Sequence, residues 1–337
     1  MPRRLRLLWV VPHLPRRGIS AARERWWHLL DRLAPRHDLT LLALVDPEDV
    51  GKDAGLPPGI STVRQVAKQP AIPDDPLALL PHLARWQFAD PRLAAAVAAE
   101  VAAVPYDLVQ FEYQDLAHLI PATRCPTILT VHQLGFAAWG PAWRATGRGA
   151  RRGLVALYRH LRDLDFELRA VEDVDHVITM TPEDATRLRR FRASLAVSVS
   201  PVGVDCREFS PAATEASSPQ SDLLFVGNFD HAPNVDAVRF LVDAILPRVG
   251  RPLRLRLVGR RTPPEIRAVA RATSIDVVGD VDDVRPHLAR AAVVVAPVRF
   301  GTGMRGKVLE ALAMARPVVT TSVGAEGLGA TSGEHLL

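Results

Sequence analysis

Cysteine is nearly absent: Cys125 and Cys206 are the two in 337 residues. Two cannot build a disulfide framework, which excludes a small stapled scaffold and fits a reducing compartment. No apolar run approaches the roughly 20 residues a transmembrane helix needs. The opening MPRRLRLLWVVPHLP has the arginines of a secretory leader, but its apolar stretch is too short for a leader's core. Lysine is also scarce. Lys52, Lys68 and Lys307 are the three, so arginine supplies 39 of the 42 basic residues, a bias that fits genomic base composition better than a function. Against 37 acidic residues the net charge is +5, modest for this length. With neither zinc-finger spacing nor zipper heptads, no nucleic acid partner is expected. Glycine (21) and proline (28) follow no short period, which excludes collagen-like and low-complexity chains. No residues show metal-ligand spacing, no Ser-His-Asp or Cys-His constellation is recognisable, and no cofactor is implied. What is present is length and 48% hydrophobic residues, enough for two cores. A soluble, cytoplasmic, two-domain protein is expected.

Apolar runs of strand length alternate with amphipathic helical stretches through most of the chain. LRLLWVV (5–11) reads as a buried strand, and AARERWWHLLDRLA (21–34) follows with Trp26, Leu29, Leu30 and Leu33 on one helical face. LTLLALV (39–45), DLVQFEY (107–113), TILTVH (127–132) and HVITMT (176–181) are further strands, with helical patterns at 92–103, 154–172 and 183–191. Apolar strands alternating with helices imply a parallel sheet covered on both faces. Residues 207–221, REFSPAATEASSPQS, read as a linker. Beyond it lie five short strands, DLLFVGN (222–228), LRLRLVGR (253–260), IDVVGD (275–280), AVVVAPV (292–298) and PVVTTSV (317–323). Helical stretches at 235–246, 263–272, 282–290 and 305–315 separate them, and Asp282 and Asp283 suit the start of a helix. The expected class is α/β, two Rossmann-like doubly wound domains at 1–206 and 222–337. A ligand then belongs at the carboxyl ends of the strands, in the cleft between domains. The closing GEHLL (333–337) looks like the opening of one more strand with no helix to cover it, so the second domain is expected to be truncated.

Residues 297–317, PVRFGTGMRGKVLEALAMARP, carry the most chemistry. A strand ends at Pro297, a loop with Gly301 and Gly303 follows, and a helix opens near Met304 with Thr302 as its cap. Arg305 and Lys307 fall in the first turn, where cations oppose the helix macrodipole by roughly 0.3–1 kcal/mol each. Two cations there make sense if an anion shares the place. Together with free N–H groups and close-approach glycines, they describe a phosphate or diphosphate site. Glu310, three residues after Lys307, shares its face and could accept hydrogen bonds from vicinal hydroxyls such as those of ribose. The bland alternative is a surface Lys–Glu pair worth tenths of a kcal/mol. Gly301 to Lys307 also fits GxxxxGK, but Val308 stands where a P-loop needs Ser or Thr, and the loop follows the fourth strand of its domain.

GTGMRGKVLEALAMARPVVTTSVGAEGL resembles the donor-site helix of retaining, family 4 (group 1) glycosyltransferases of the GT-B fold. PVGVDCREFSP (201–211) is similar to that family's crossing into its second domain, and FVGNFDHAPNVDAVRFL (225–241) to the first strand and helix there. DLVQFEY and TILTVHQ are similar to late strands of its acceptor domain, so the resemblance covers nearly the whole chain. It implies metal-independent, hexosyl-type transfer from a nucleoside-diphosphate sugar to a glycan, lipid-linked or small-molecule acceptor. Glu310 would be the second acid of the family's E-x7-E motif and bind the ribose, while Arg305 and Lys307 would neutralise the leaving diphosphate. Gly301, Thr302, Gly303 and Met304 would line the donor, with Thr302 in the place of the first acid. Asn228 and Asn234 stand where the family often has Arg and Lys, which shifts phosphate binding onto Arg305 and Lys307.

In the first domain, PHLPRRGIS replaces the family's glycine-rich turn and keeps only Gly18 beside the phosphates and acceptor. His132 matches a histidine placed near the transferred sugar, although a lone histidine ending a strand is often structural. Residues 142–162 hold Arg144, Arg148, Arg151, Arg152, Arg159 and Arg162 and no acid. Such a face suits anionic lipid headgroups or a lipid-diphosphate acceptor, which would place the protein peripherally at the inner face of the membrane. A merely solvated basic face is the alternative. Two other readings stay open: a degenerate GT-B protein that binds nucleotide or partner without transfer, and a GT-B epimerase, for which no catalytic acids are identifiable.

Overall fold

A computed structural model describes residues 3–18, 20–68, 90–121, 123–138, 150–211, 221–250, 252–272, 275–331 and 333–334. Most of the expected linker, 212–220, lies outside them, as do Arg144, Arg148 and the last three residues. The chain divides into two compact units, Met1–Phe136 with Tyr158–Pro201 and Ala137–Leu157 with Val202–Leu337.

The first unit is built on a seven-stranded parallel sheet. Its strands are β1 (Arg6–Val11), β2 (Asp38–Val45), β3 (Thr62–Ala67), β4 (Leu108–Glu112), β5 (Thr127–Val131), β6 (His176–Thr179) and β7 (Val197–Val199). They lie in the order β3-β2-β1-β4-β5-β6-β7. The helices are α1 (Ala21–Leu33), α2 (Pro91–Ala103), α3 (Ala150–Ala170), which belongs to this unit from Tyr158 onward, and α4 (Pro182–Phe191). Side chains at their entrances fix three of them: Ser20, Asp90 and Thr181 accept the N–H groups of Arg23, Arg92 and Asp184. The expected face of α1 is the buried one, with Trp26 and Leu30 packed on Trp9, Leu39 and Leu41. β3 and β7 do not stand out in the sequence. Both are edge strands; β3 is partly exposed along its length and β7 has three residues. Neither needs the continuous apolar run of a strand buried on both faces.

The second unit has a five-stranded parallel sheet of β8 (Ser221–Val226), β9 (Leu255–Val258), β10 (Ile275–Gly279), β11 (Ala291–Ala296) and β12 (Val318–Thr320), ordered β10-β9-β8-β11-β12. Four helices connect them: α5 (Ala232–Phe240), α6 (Pro264–Ala272), α7 (Arg285–Ala289) and α8 (Gly306–Ala313). Alternation along the strands divides the core. Phe225, Leu255, Leu257 and Val295 face α5 and α6, whereas Leu224, Val258 and Val294 face α7 and α8. The helix expected over 235–246 starts earlier and loses its α geometry at Leu241, where a π turn and a 3-10 turn follow. Asp283 does open α7, its carboxylate accepting the Arg285 N–H at 2.9 Å. Gly227 and Gly259 end β8 and β9 in contact, and a Cβ on Gly259 would collide with the Gly227 carbonyl.

Candidate active site

In the second unit, the strand order reverses between β8 and β11, the place where an open α/β sheet parts its connections to opposite faces and leaves a crevice. The loops beyond both strands carry the residues singled out from the sequence. After β11 the chain runs through Gly301 (φ +103°) and Gly303 (φ +80°), left-handed positions that suit glycine. At its start, Arg299 grips Asp236 of α5 through two bonds, 2.9 and 2.5 Å, and covers the Phe240 ring. At its end, Arg305 Nη1 donates to the Thr302 carbonyl at 2.6 Å. A Cβ on Gly301 would stand 3.0 Å from Arg305 Nη2, so that glycine makes room for the guanidinium.

One expectation about this loop is corrected. Thr302 is buried in the loop and does not cap α8; the helix starts at Gly306, its cap position is Arg305, and no side chain caps it. The loop is longer than the threonine's position suggested, because two left-handed glycines extend it. The cations therefore stand at the mouth of the helix: Arg305 at the cap position and Lys307 in the first turn. The Lys307 ammonium reaches across to α5, donates to Asn234 Oδ1 at 2.6 Å and lies 4.5 Å from the Phe225 ring centre. Burial, and then the Arg305 charge, lower its pKa to about 7, while Glu310 acts in the opposite sense. Asn234 in turn donates from Nδ2 to the Asn228 carbonyl at 2.6 Å. Arg305, Lys307, Asn228, Gly301, Thr302 and Gly303 thus gather at one crevice with Asn234; Glu310 and Met304, both half-buried, adjoin them in the chain.

In the first unit, His132 follows β5 and is buried. Its Nε2 is 2.9 Å from Glu112 Oε2 at the end of β4, and Tyr113 stacks on its ring at 4.4 Å. Glu112 is fully buried and also accepts from Trp26 Nε1 (2.9 Å), Gln110 Nε2 (3.1 Å) and Thr130 Oγ1 (3.2 Å), with Arg25 Nη1 at 3.5 Å. Burial opposes its ionisation, but the His132 bond and the Arg25 charge outweigh it, so the carboxyl titrates below its usual range. The sequence reading missed Glu112, Arg25 and the polar role of Trp26. The signal was there: Gln110 and Glu112 alternate on one face of an otherwise apolar strand, where an unpaired carboxylate is not tolerated. A second buried carboxyl, Glu167 of α3, accepts the Gly135 and Phe136 N–H groups at 2.7 and 3.1 Å, fixing the backbone just after His132. Burial pushes it up to about 8. Gly18 lies elsewhere in this unit, at the exposed turn after β1. It adopts φ +71° and donates its N–H to Glu24 at 2.8 Å.

The arginine-rich stretch includes the start of α3. There Leu154, Leu157 and Leu161 are 68, 53 and 54% exposed, and Arg162 sits over the Tyr158 ring. No helix among the described residues is long and apolar enough to cross a membrane. Nor do the described residues hold three or more His, Cys, Asp or Glu side chains that could share a metal ion.

Comparison with known proteins places this geometry. The family Glycosyl transferases group 1 matches residues 220–335, from the start of β8 almost to the last residue. Among solved structures, sucrose-phosphate synthase from Thermosynechococcus elongatus is similar at a TM-score of 0.67 and 19% identity, over 96% of this chain and 82% of that one. WaaG, a glycosyltransferase involved in lipopolysaccharide biosynthesis, is similar at 0.64 and 16% identity, over 96% and 82%. HepE from Anabaena, solved with UDP and glucose, gives 0.64 and 15% identity over 99% and 85%. These likenesses show the fold, the two-domain GT-B architecture. No curated protein sequence matches significantly.

Proposed function

From the premise that residues 220–335 form a group 1 glycosyltransferase domain within a GT-B chain, we propose that the protein is a retaining glycosyltransferase using a nucleoside-diphosphate sugar. The observation that carries this reading is the placement of Arg305 and Lys307 at the uncapped start of α8, in the crevice between β8 and β11. The hard step in such a transfer is departure of the diphosphate as the sugar gains oxocarbenium character. Fixed cations and helix N–H groups aimed at the leaving oxygens stabilise that developing charge without a metal. Glu310, one turn along the same helix, accepts the ribose hydroxyls, and Gly301, Thr302, Gly303, Met304 and Asn228 line the donor. HepE, whose solved forms include one with UDP-glucose, favours a UDP-sugar as donor. His132 serves the transferred sugar, its ring held in place through Nε2 by Glu112. Gly18 shapes the turn on the acceptor side.

The acceptor is a glycan or lipid-linked molecule, approached at the membrane surface through α3, whose exposed leucines and tyrosine lie among arginines. Domain limits of 1–206 and 222–337 belong to the same reading. A panel of nucleotide sugars tested for thermal stabilisation identifies the donor. Against that donor, Glu310→Ala should weaken affinity about tenfold or more, while the wild-type enzyme releases free nucleotide in the presence of an acceptor. Wild-type affinity in Glu310→Ala removes the ribose role. Thr302 in the place of a motif acid favours one second reading, a binder that transfers nothing: calorimetric heat with no released nucleotide across the panel would establish it.

A further inference from the structure

The contact between Lys307 and Asn234 has no counterpart in the reading above. An ammonium carries three N–H donors. Among the described residues this one meets one hydrogen-bond acceptor, Asn234 Oδ1, and one aromatic face, Phe225. The charged groups about it are Arg305 and Glu310, both from its own loop and helix. β8 and α5 present to it the uncharged Phe225 and Asn234, and the nearby Asp236 of α5 is consumed by Arg299. Asn234 is itself held in one orientation. Its Nδ2 donates to the Asn228 carbonyl, which turns Oδ1 toward Lys307, and Gly227 gives it room, since a Cβ there would stand 3.0 Å from Asn234 Cγ.

We propose that Asn234 is a positioning residue for Lys307: its neutral amide oxygen holds the ammonium at the crevice between β8 and β11 and cancels none of its charge toward a ligand diphosphate. The inference rests on the donor reading above. The physical argument is a comparison of alternatives at position 234. An apolar side chain would leave the buried ammonium without an acceptor and drive it to the neutral amine. A carboxylate would hold it as well but cancel its charge and repel the diphosphate. An amide avoids both outcomes. Asn234 touches no reacting atom in this account and acts through Lys307.

The three lysines make the test direct. Protein grown on 13C-labelled lysine gives three side-chain NMR signals, and Lys307→Arg identifies one by its loss. In the ligand-free wild type that signal should titrate near neutral pH. It should titrate lower in Asn234→Ala and higher in Asn234→Asp. UDP is then titrated calorimetrically at pH 6 and pH 8.5. Asn234→Ala should bind UDP about tenfold more weakly than wild type at pH 8.5, for a shift of about one unit, and recover at pH 6 where the amine regains its proton. Asn234→Asp should be weak at both. Asn234→Ser, which keeps a hydroxyl acceptor, provides a milder variant should the alanine protein unfold. A Lys307 titration identical in all forms, or an affinity loss equal at both pH values, overturns the proposal. If UDP fails to bind the wild type while the titrations shift as stated, the donor reading falls and the positioning role stands.

Discussion

At the scale of the residue, Lys307 has a sign that can be worked out. Its pKa in the folded protein is about 7, below the ordinary lysine value, so the unfolded chain binds more protons between pH 7 and about 10. Stability therefore rises with pH across that window, and the charged lysine weighs against the folded state below it. Lys307→Met should be more stable than wild type at pH 6, with the gap closing toward pH 10, as urea midpoints will report. Equal midpoints at both ends contradict the burial described here. The same residue shows how legible the site was. Cations at a helix mouth are visible in GTGMRGKVLEA because they break a sequence rule. Thr302 misled because threonine is a good cap in general, and nothing local reveals that two left-handed glycines carry the loop past it. Glu112 was hidden for another reason: its partners Trp26, Gln110, Thr130, Arg25 and His132 come from three different segments, and only the folded sheet assembles them.

At the scale of the element, strands buried on both faces announced themselves, as did the valine-rich edge strands β10 and β12, whereas the edge strands β3 and β7 did not. LRLLWVV and AVVVAPV need no context, but TVRQVA is half polar and becomes a strand because β2 offers it a partner edge. The helix α3 was legible as an amphipathic pattern, yet its apolar side is not wholly inward: Leu157 and Leu161 are more than half exposed. Exposed leucines on a basic helix contribute little to folding and suit a lipid surface. The double variant Leu157→Glu with Leu161→Glu should leave the unfolding free energy from urea titration within about 0.5 kcal/mol of wild type. It should also abolish co-sedimentation with vesicles rich in phosphatidylglycerol. Wild-type binding itself should fade as salt is raised, since screening shortens the reach of the arginines. Undiminished binding of the double variant would remove α3 from the membrane contact.

At the scale of the whole molecule, three groups bend the pH dependence of stability in overlapping windows. His13 is held neutral, its pKa lowered to about 3 by burial beside Lys68 and Arg23, so stability is lost as pH falls from about 6.5. Glu167 has the opposite shift. With its pKa raised to about 8, the folded state holds an extra proton above the ordinary carboxylate range, and stability declines as pH rises from about 4.3 to about 8. Lys307 adds its upward slope only above about 7. The Glu167 slope is opposed by that of His13 below about pH 6.5 and by that of Lys307 above about 7, so Glu167→Gln should gain steadily on the wild type as pH rises from 5 to 8. A difference between variant and wild type that stays constant from pH 5 to 8 contradicts the burial of Glu167. The scarcity of lysine has one more outcome. An amine whose pKa lies near 7 and which stands beside the Arg305 guanidinium is a selective nucleophile toward an aldehyde bearing a phosphate. Pyridoxal phosphate with borohydride should mark Lys307 ahead of Lys52 and Lys68, and bound UDP should shield it, so peptide mapping can locate the donor's footprint before any sugar is known.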